Sequence, residues 1–146
     1  MNRPQLYDGE KREHLLEAYH REAVMSMSVA YPPFAVPGKD NLKRYLSAGS
    51  RNLTRVRPDG DKREQALRQG RLKVVSFLSD LPKTEHCMSS FTLDITLATE
   101  RLVSFTVTGV FRDRDADQLP FRHFNRMFVV VPQARLPPQN HKHHNM

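Results

Sequence analysis

The apolar residues of this chain fall into short periodic runs, the most regular near its middle. Phe91, Leu93, Ile95 and Leu97 alternate with Thr92, Asp94, Thr96 and Ala98, a period of two that predicts a strand with one apolar and one mixed face. On either side, residues 72–78 and 102–111 are rich in Val, Phe and Thr, which suit a pleated, half-buried surface. The pattern therefore predicts three successive strands over residues 71–111. Their connections, 80–89 and 99–101, are too short for a parallel crossover, so neighbours should run antiparallel. Residues 123–131 predict a fourth strand in the series. With Phe124, Met127, Phe128, Val129, Val130 and Val131 it is apolar on both faces toward its end, as in a strand covered from both sides. In a domain with few helices, a second protein is a natural source of that cover.

Ahead of these strands, residues 10–23 predict a helix with Leu15, Leu16, Ala18 and Tyr19 on one side. Asp8 suits its N-cap, Glu10 and Glu13 suit the positive end of its dipole, and His14 and His20 fall on the solvent side. Residues 24–30 alternate again, with Met25, Met27 and Val29 opposite Val24, Ser26, Ser28 and Ala30. Tyr31-Pro32-Pro33 ends that strand, since proline cannot continue a ladder. Asp40 is a suitable cap for a helix through Leu42, Tyr45 and Leu46 that stops before Gly49. A polar turn at Pro58-Asp59-Gly60-Asp61 and a helical turn or two over residues 62–69, ending at Gly70, lead into the central strands. Residues 112–117 alternate Arg and Asp and read as a charged hairpin loop. They lack the glycine and terminal glutamate of a calcium loop.

A chain of 146 residues is one domain by length and can bury a core. No apolar run approaches a membrane span, and residues 1–30 carry no signal-peptide core. The single cysteine, Cys87, allows no internal disulfide and gives no sign of an oxidising compartment, so the chain reads as intracellular. The net charge of +7 is uneven: residues 39–73 hold eleven Lys or Arg against four acids. Such a surface can be a solvated face, meet an acidic protein, or meet phosphate, in that order of preference. The stacking aromatics of single-stranded nucleic-acid sites are not interleaved with it. From residue 133 the composition changes to Pro, Gln, Asn and His, which predicts a disordered tail. His141, His143 and His144 lie close together there, without a second ligand cluster to complete a defined metal site.

Helix, strand, helix and then a run of antiparallel strands is an α+β pattern. Within it, Leu15-Leu16-Glu17-Ala18-Tyr19-His20, Ser50-Arg51-Asn52, Val74-Val75-Ser76-Phe77-Leu78, Leu81-Pro82-Lys83-Thr84-Glu85-His86, Ser90-Phe91 with Asp94, Val107-Thr108-Gly109-Val110-Phe111 and Phe128-Val129-Val130-Val131-Pro132 occur in this order. Together they resemble the nuclear transport factor 2-like domain of the nuclear RNA export factor family, the TAP-type messenger RNA exporters. The likeness covers about residues 6–132, and Leu-Pro-Lys-Thr-x-His is its most specific part. It implies a cone: a curved antiparallel sheet packed on helices, here with the first helix and last strand truncated or missing. The domain would then be residues 1–132, followed by the tail.

The resemblance implies a non-enzymatic protein-binding module without cofactor or metal, in a nuclear receptor that shuttles to the pore and cytoplasm. Its partner would be a small nuclear transport factor 2-related export protein, bound sheet against sheet as a heterodimer. By motif, Arg51 matches an arginine that pairs with an acid of the partner, and Asp94 an aspartate that pairs with a partner base. Phe105, Val107, Met127 and Val129 are the candidate apolar contacts on the sheet. Of the family's pocket for Phe-Gly nucleoporins only Pro132 is matched, so that binding is not expected here. RNA contacts would fall mainly to other domains of full-length relatives, and no membrane is implied. The expectation is a truncated or divergent copy, marginal without its partner.

Two other readings compete. The same cone hosts isomerases and dehydratases, for which Asp94, His123, His86 and Tyr45 are the acid–base candidates, provided that they converge in one pocket. Alternatively, residues 39–73 bind RNA weakly through Lys62, Arg63 and Arg68.

Overall fold

The N-terminal segment is fastened to the rest of the molecule by side-chain bonds that hydrophobic patterning does not reveal. The computed structural model describes residues 7–30, 42–53, 60–114 and 121–133. The loop at Tyr31-Pro32-Pro33, the cap at Asp40, Pro58-Asp59 of the polar turn, residues 115–117 of the charged loop and the His141, His143 and His144 tail lie outside them.

A 3-10 turn, Arg12–Glu17, stands in place of the expected α-helix over residues 10–23. Three residues per turn put Arg12 and Leu15 on one side, and these are its two buried residues. Next, β1 (Val24–Met25) pairs antiparallel with β2 (Arg68–Gln69). The alternation over residues 24–30 is real in burial, with Met25, Met27 and Val29 packed on the core. The ladder, however, stops at Met25. Beyond it the chain is tied instead by Arg51 N–H to the Met27 carbonyl (2.6 Å) and Val29 N–H to Ser50 Oγ (2.9 Å). Two short helices, α1 (Lys43–Ser47) and α2 (Gly60–Gln65), sit where helical turns are expected.

The largest departure is α3, Arg71–Asp80, a helix where Val- and Phe-rich composition predicts a strand. Val74, Phe77, Leu78 and Leu81 are all buried and recur at i, i+3, i+4 and i+7, the spacing of one helix face. Leu72, at the start, is 75% exposed. Gly70 opens the helix at φ +92°, a conformation costly for residues with a Cβ. Pro82 closes it, because a residue before proline is driven out of the helical region, and Leu81 is extended at ψ 153°.

The large sheet contains β3 (Thr84–His86), β4 (Thr92–Ala98), β5 (Val103–Asp113) and β6 (Arg122–Val130), all antiparallel to β5 where they pair with it. Because β6 runs along β5 from Val103 to Phe111, β3 and β4 share its other edge. A 3-10 turn at Met88–Ser90 separates them. The core gathers Tyr7, Leu15, Tyr45, Val74, Val75, Phe77, Leu78 and Leu81. Beside it His86 sits in a ring of Tyr7, Phe91, Phe111 and Phe124, with centroids 5.0–6.0 Å away. Gly109 makes this possible, since a Cβ there would lie 2.8 Å from Phe91 and 3.0 Å from Phe124.

Two polar clamps fasten the N-terminal segment to α3 and β3. Arg12, 1% exposed, donates to the carbonyls of Tyr7 (2.9 Å), Leu78 (2.6 Å), Leu81 (3.0 Å) and Pro82 (2.9 Å), and to Thr84 Oγ1 (3.2 Å). Several of those carbonyls form the C-terminal end of α3, where a cation is also favoured by the helix dipole. Asp8, expected as a helix cap, is turned to β3 instead. It accepts from His86 N–H (2.9 Å), His86 Nδ1 (2.7 Å) and Thr84 Oγ1 (3.0 Å). Burial pushes the Asp8 carboxyl up, but the bonds from the His86 side chain and backbone, with Thr84, outweigh it and hold its pKa below the ordinary value.

Arg12→Lys keeps the charge but cannot reach carbonyls on several sides at once. It should lower stability by about 3 kcal/mol or more in urea unfolding. For Asp8 the folded pKa lies below the unfolded one, so its stabilisation is present at neutral pH and is lost as pH falls through the folded value. The deficit of Asp8→Asn against wild type should be full above about pH 5 and shrink below about pH 3, measured by denaturant midpoints across pH.

Candidate functional site

Antiparallel pairing sorts the sheet residues into two faces, because directly paired residues point to the same side. The inner face carries the rows Leu93–Val107–Arg126, Ile95–Phe105–Phe128 and Gly109–Phe124. The outer face carries Thr92–Thr108–Asn125, Asp94–Thr106–Met127, Ser104–Val129 and Val110–His123. Along β6 the inner residues are half-buried, and His123, Asn125, Met127 and Val129 are exposed. Met127 and Val129 are 65% and 63% exposed, and on β4 the inner-face Leu93 and Ile95 are open as well, at 60% and 63%. The Thr92 and Thr108 hydroxyls bond to each other across the outer face.

The strict alternation expected through Leu97 breaks one residue earlier. Ile95 pairs with Phe105, but Leu97 pairs with Ser104, leaving Thr96 as an extra residue. A one-residue bulge reverses the facing of everything after it. Leu97 therefore lies on the outer face, opposite to Leu93 and Ile95.

The expected contact residues divide accordingly. Asp94, Met127 and Val129 share the outer face. Phe105 and Val107 lie on the inner one, where Phe105 stacks on Phe128 with centroids 5.2 Å apart. Arg51 is off this sheet, on the turn after α1. Its Nε donates to the Arg63 carbonyl at 3.2 Å, and its own carbonyl accepts from Ser28 Oγ at 3.1 Å. Pro132 is exposed directly after β6. Residue types alone could not distinguish the faces of β5; only the register does.

The acid–base candidates are also divided. Asp94 and His123 are outer-face residues. His86 is inside, bonded to Asp8 and packed among aromatic rings. Tyr45 is buried and donates to Asp113 Oδ1; burial first, and then that bond, push its pKa above the ordinary tyrosine value. Among the described residues no group of three or more His, Cys, Asp or Glu could hold a metal ion, and no helix is long and apolar enough to cross a membrane.

A curved antiparallel sheet wrapped on short helices, with its outer face open, defines a nuclear transport factor 2-like α+β cone. The family model for the nuclear RNA export factor NTF2 domain matches residues 4–143, and the chain belongs to that family. It is 37% identical over 136 residues to nuclear RNA export factor 1 of Drosophila melanogaster, covering 88% of this chain and 20% of that protein. It is 35% identical over 128 residues to nuclear RNA export factor 3 of Homo sapiens, covering 87% of this chain and 24% of that one. The chain thus spans only a fifth to a quarter of these relatives. Among solved structures, the Mtr2–Mex67 M domain complex of C. albicans matches with a TM-score of 0.67 at 26% identity, over 88% of this chain and 81% of that one. A Mex67:Mtr2 complex with a Sac3N peptide shares the fold, with a TM-score of 0.60 at 23% identity over 88% and 74%.

The two faces should respond differently to truncation. Phe124→Ala removes a ring shared by His86, Phe91 and Phe111 and should cost about 3 kcal/mol or more. Met127→Ala, on the exposed side, should stay within about 0.5 kcal/mol. Chemical unfolding of both variants checks this.

Proposed function

We propose that the chain is a non-enzymatic heterodimerisation module of a nuclear RNA export receptor, and that it binds a small nuclear transport factor 2-related partner through the outer face of its large sheet. The observation that carries this reading is the exposure of Met127 and Val129 on a sheet face that also bears Asp94. Apolar side chains there leave unrealised burial that a second protein supplies. The solved relatives support it, being complexes of Mex67 with Mtr2. In this reading Asp94 pairs with a basic group of the partner, and Arg51 with an acid, setting register and specificity more than affinity. Localisation to the nucleus, with shuttling to the pore and cytoplasm, follows from the same role.

Separation of Asp94 and His123 from His86 and Tyr45 on opposite sides of the sheet favours this reading over a cone-fold enzyme. RNA binding through the basic segment gains less support. Arg68 is engaged by the fold itself, donating to the Gln65 and Ala48 carbonyls at 2.7 and 2.9 Å and lying over the Phe77 ring.

Co-expression with the small partner, followed by size exclusion with light scattering, should give a one-to-one complex. Asp94→Arg should weaken it by about a hundredfold, since reversal of one charge leaves the other uncompensated. A stable monomer indifferent to the partner would sink the proposal.

A further inference from the structure

The outer face holds an apolar site that alternation conceals. With Thr96 bulged, Leu97 stands in the row Leu97–Ser104–Val129, beside the row Asp94–Thr106–Met127. Leu97 is 47% exposed, against 65% for Met127 and 63% for Val129. Between Leu97 and Val129 lies only Ser104, itself 6% exposed. Ser104 is closed to solvent, so Leu97 and Val129 are the open apolar side chains of this row. In a β4 of regular alternation Leu97 would join Leu93 and Ile95 on the inner face, leaving Val129 alone.

We infer that the Thr96 bulge presents Leu97 as an anchor of the partner interface, where it meets, with Met127 and Val129, an apolar surface of the partner's sheet. The inference rests on the heterodimer reading and names a binding determinant within it. The surroundings fit a protein rather than a nucleic acid. In the rows through Thr92, Asp94 and Leu97 the one charged side chain is Asp94, an acid, although the chain as a whole carries +7. A phosphate backbone would meet repulsion and no cation there. A partner surface with an apolar projection beside a Lys or Arg meets complementary groups at both. Interface energy concentrates in a few such apolar anchors, with the surrounding contacts excluding water.

The test compares residues on either side of the bulge in the co-expressed complex, by affinity measured on purified proteins, with thermal melts of each variant. Leu97→Ala should weaken binding by about tenfold or more. Leu93→Ala and Ile95→Ala, four and two residues earlier but on the inner face, should leave it within about twofold. Deletion of Thr96 removes the bulge but leaves Leu97 opposite Ser104 on the outer face, so it should leave binding within about twofold. If that deletion does not fold, the point variants decide. Full binding by Leu97→Ala, with Asp94→Arg defective, would overturn the anchor and leave the heterodimer standing. Equal losses from Leu93→Ala and Leu97→Ala would overturn the role of the bulge. Indifference of binding to Asp94→Arg and to every outer-face variant would overturn both.

Discussion

One buried guanidinium joins the three parts of this cone. Arg12 lies in the N-terminal turn, and its donors reach carbonyls at the end of α3 and the hydroxyl at the start of β3. A helix end leaves carbonyls without partners, and burying them unpaired is costly. Arginine is the one side chain with enough fixed donors to satisfy several at once from a single position. The same contact fixes where Pro82 can turn the chain into the sheet. Asp8 adds the second clamp a few residues away, so the segment 7–12 is held by polar bonds as much as by Tyr7 and Leu15. A dry arginine whose donors each have a separate acceptor is poorly replaced, because no other side chain reaches all of them.

With the N-terminal segment held, the sheet is free to differ on its two sides. The inner side is organised by aromatic rings around His86, which need Gly109 to approach closely. The outer side is a flat field of Thr, Ser and Asn with Met127, Val129 and Leu97 set into it. That division suits the proposed binding role. Rigidity comes from the inner packing, and the outer side chains remain available without cost to the core. It also explains why acid–base groups on this chain do not assemble into one site, since alternate positions of the strands carry them to opposite faces.

Much of this was legible in the residues. The alternation through β4, the long β5 and the apolar β6 gave an antiparallel sheet, and Met25, Met27 and Val29 kept their expected facing even where no ladder forms. Alternation put Asp94 on the face of β4 opposite to Leu93 and Ile95, and the register agrees. Residues 71–80 misled because Val and Phe favour strands by composition, although Val74, Phe77, Leu78 and Leu81 already carried the helical spacing. Asp8 misled in another way: its local role as a cap lost to three acceptor contacts with residues nearly eighty positions away.

By itself, then, the sequence determined the periods, the breakpoints at Gly70 and Pro82, and the family, because each depends on neighbouring residues or on a run of identities. The tertiary structure decided which apolar residues of β5 face the core, that Leu97 faces away from it, and that Arg12 is buried. Register and bulges are properties of paired strands, and a buried charge is defined by distant acceptors. Neither can be read from one segment, since in both cases the partner that fixes the outcome is brought near only by folding.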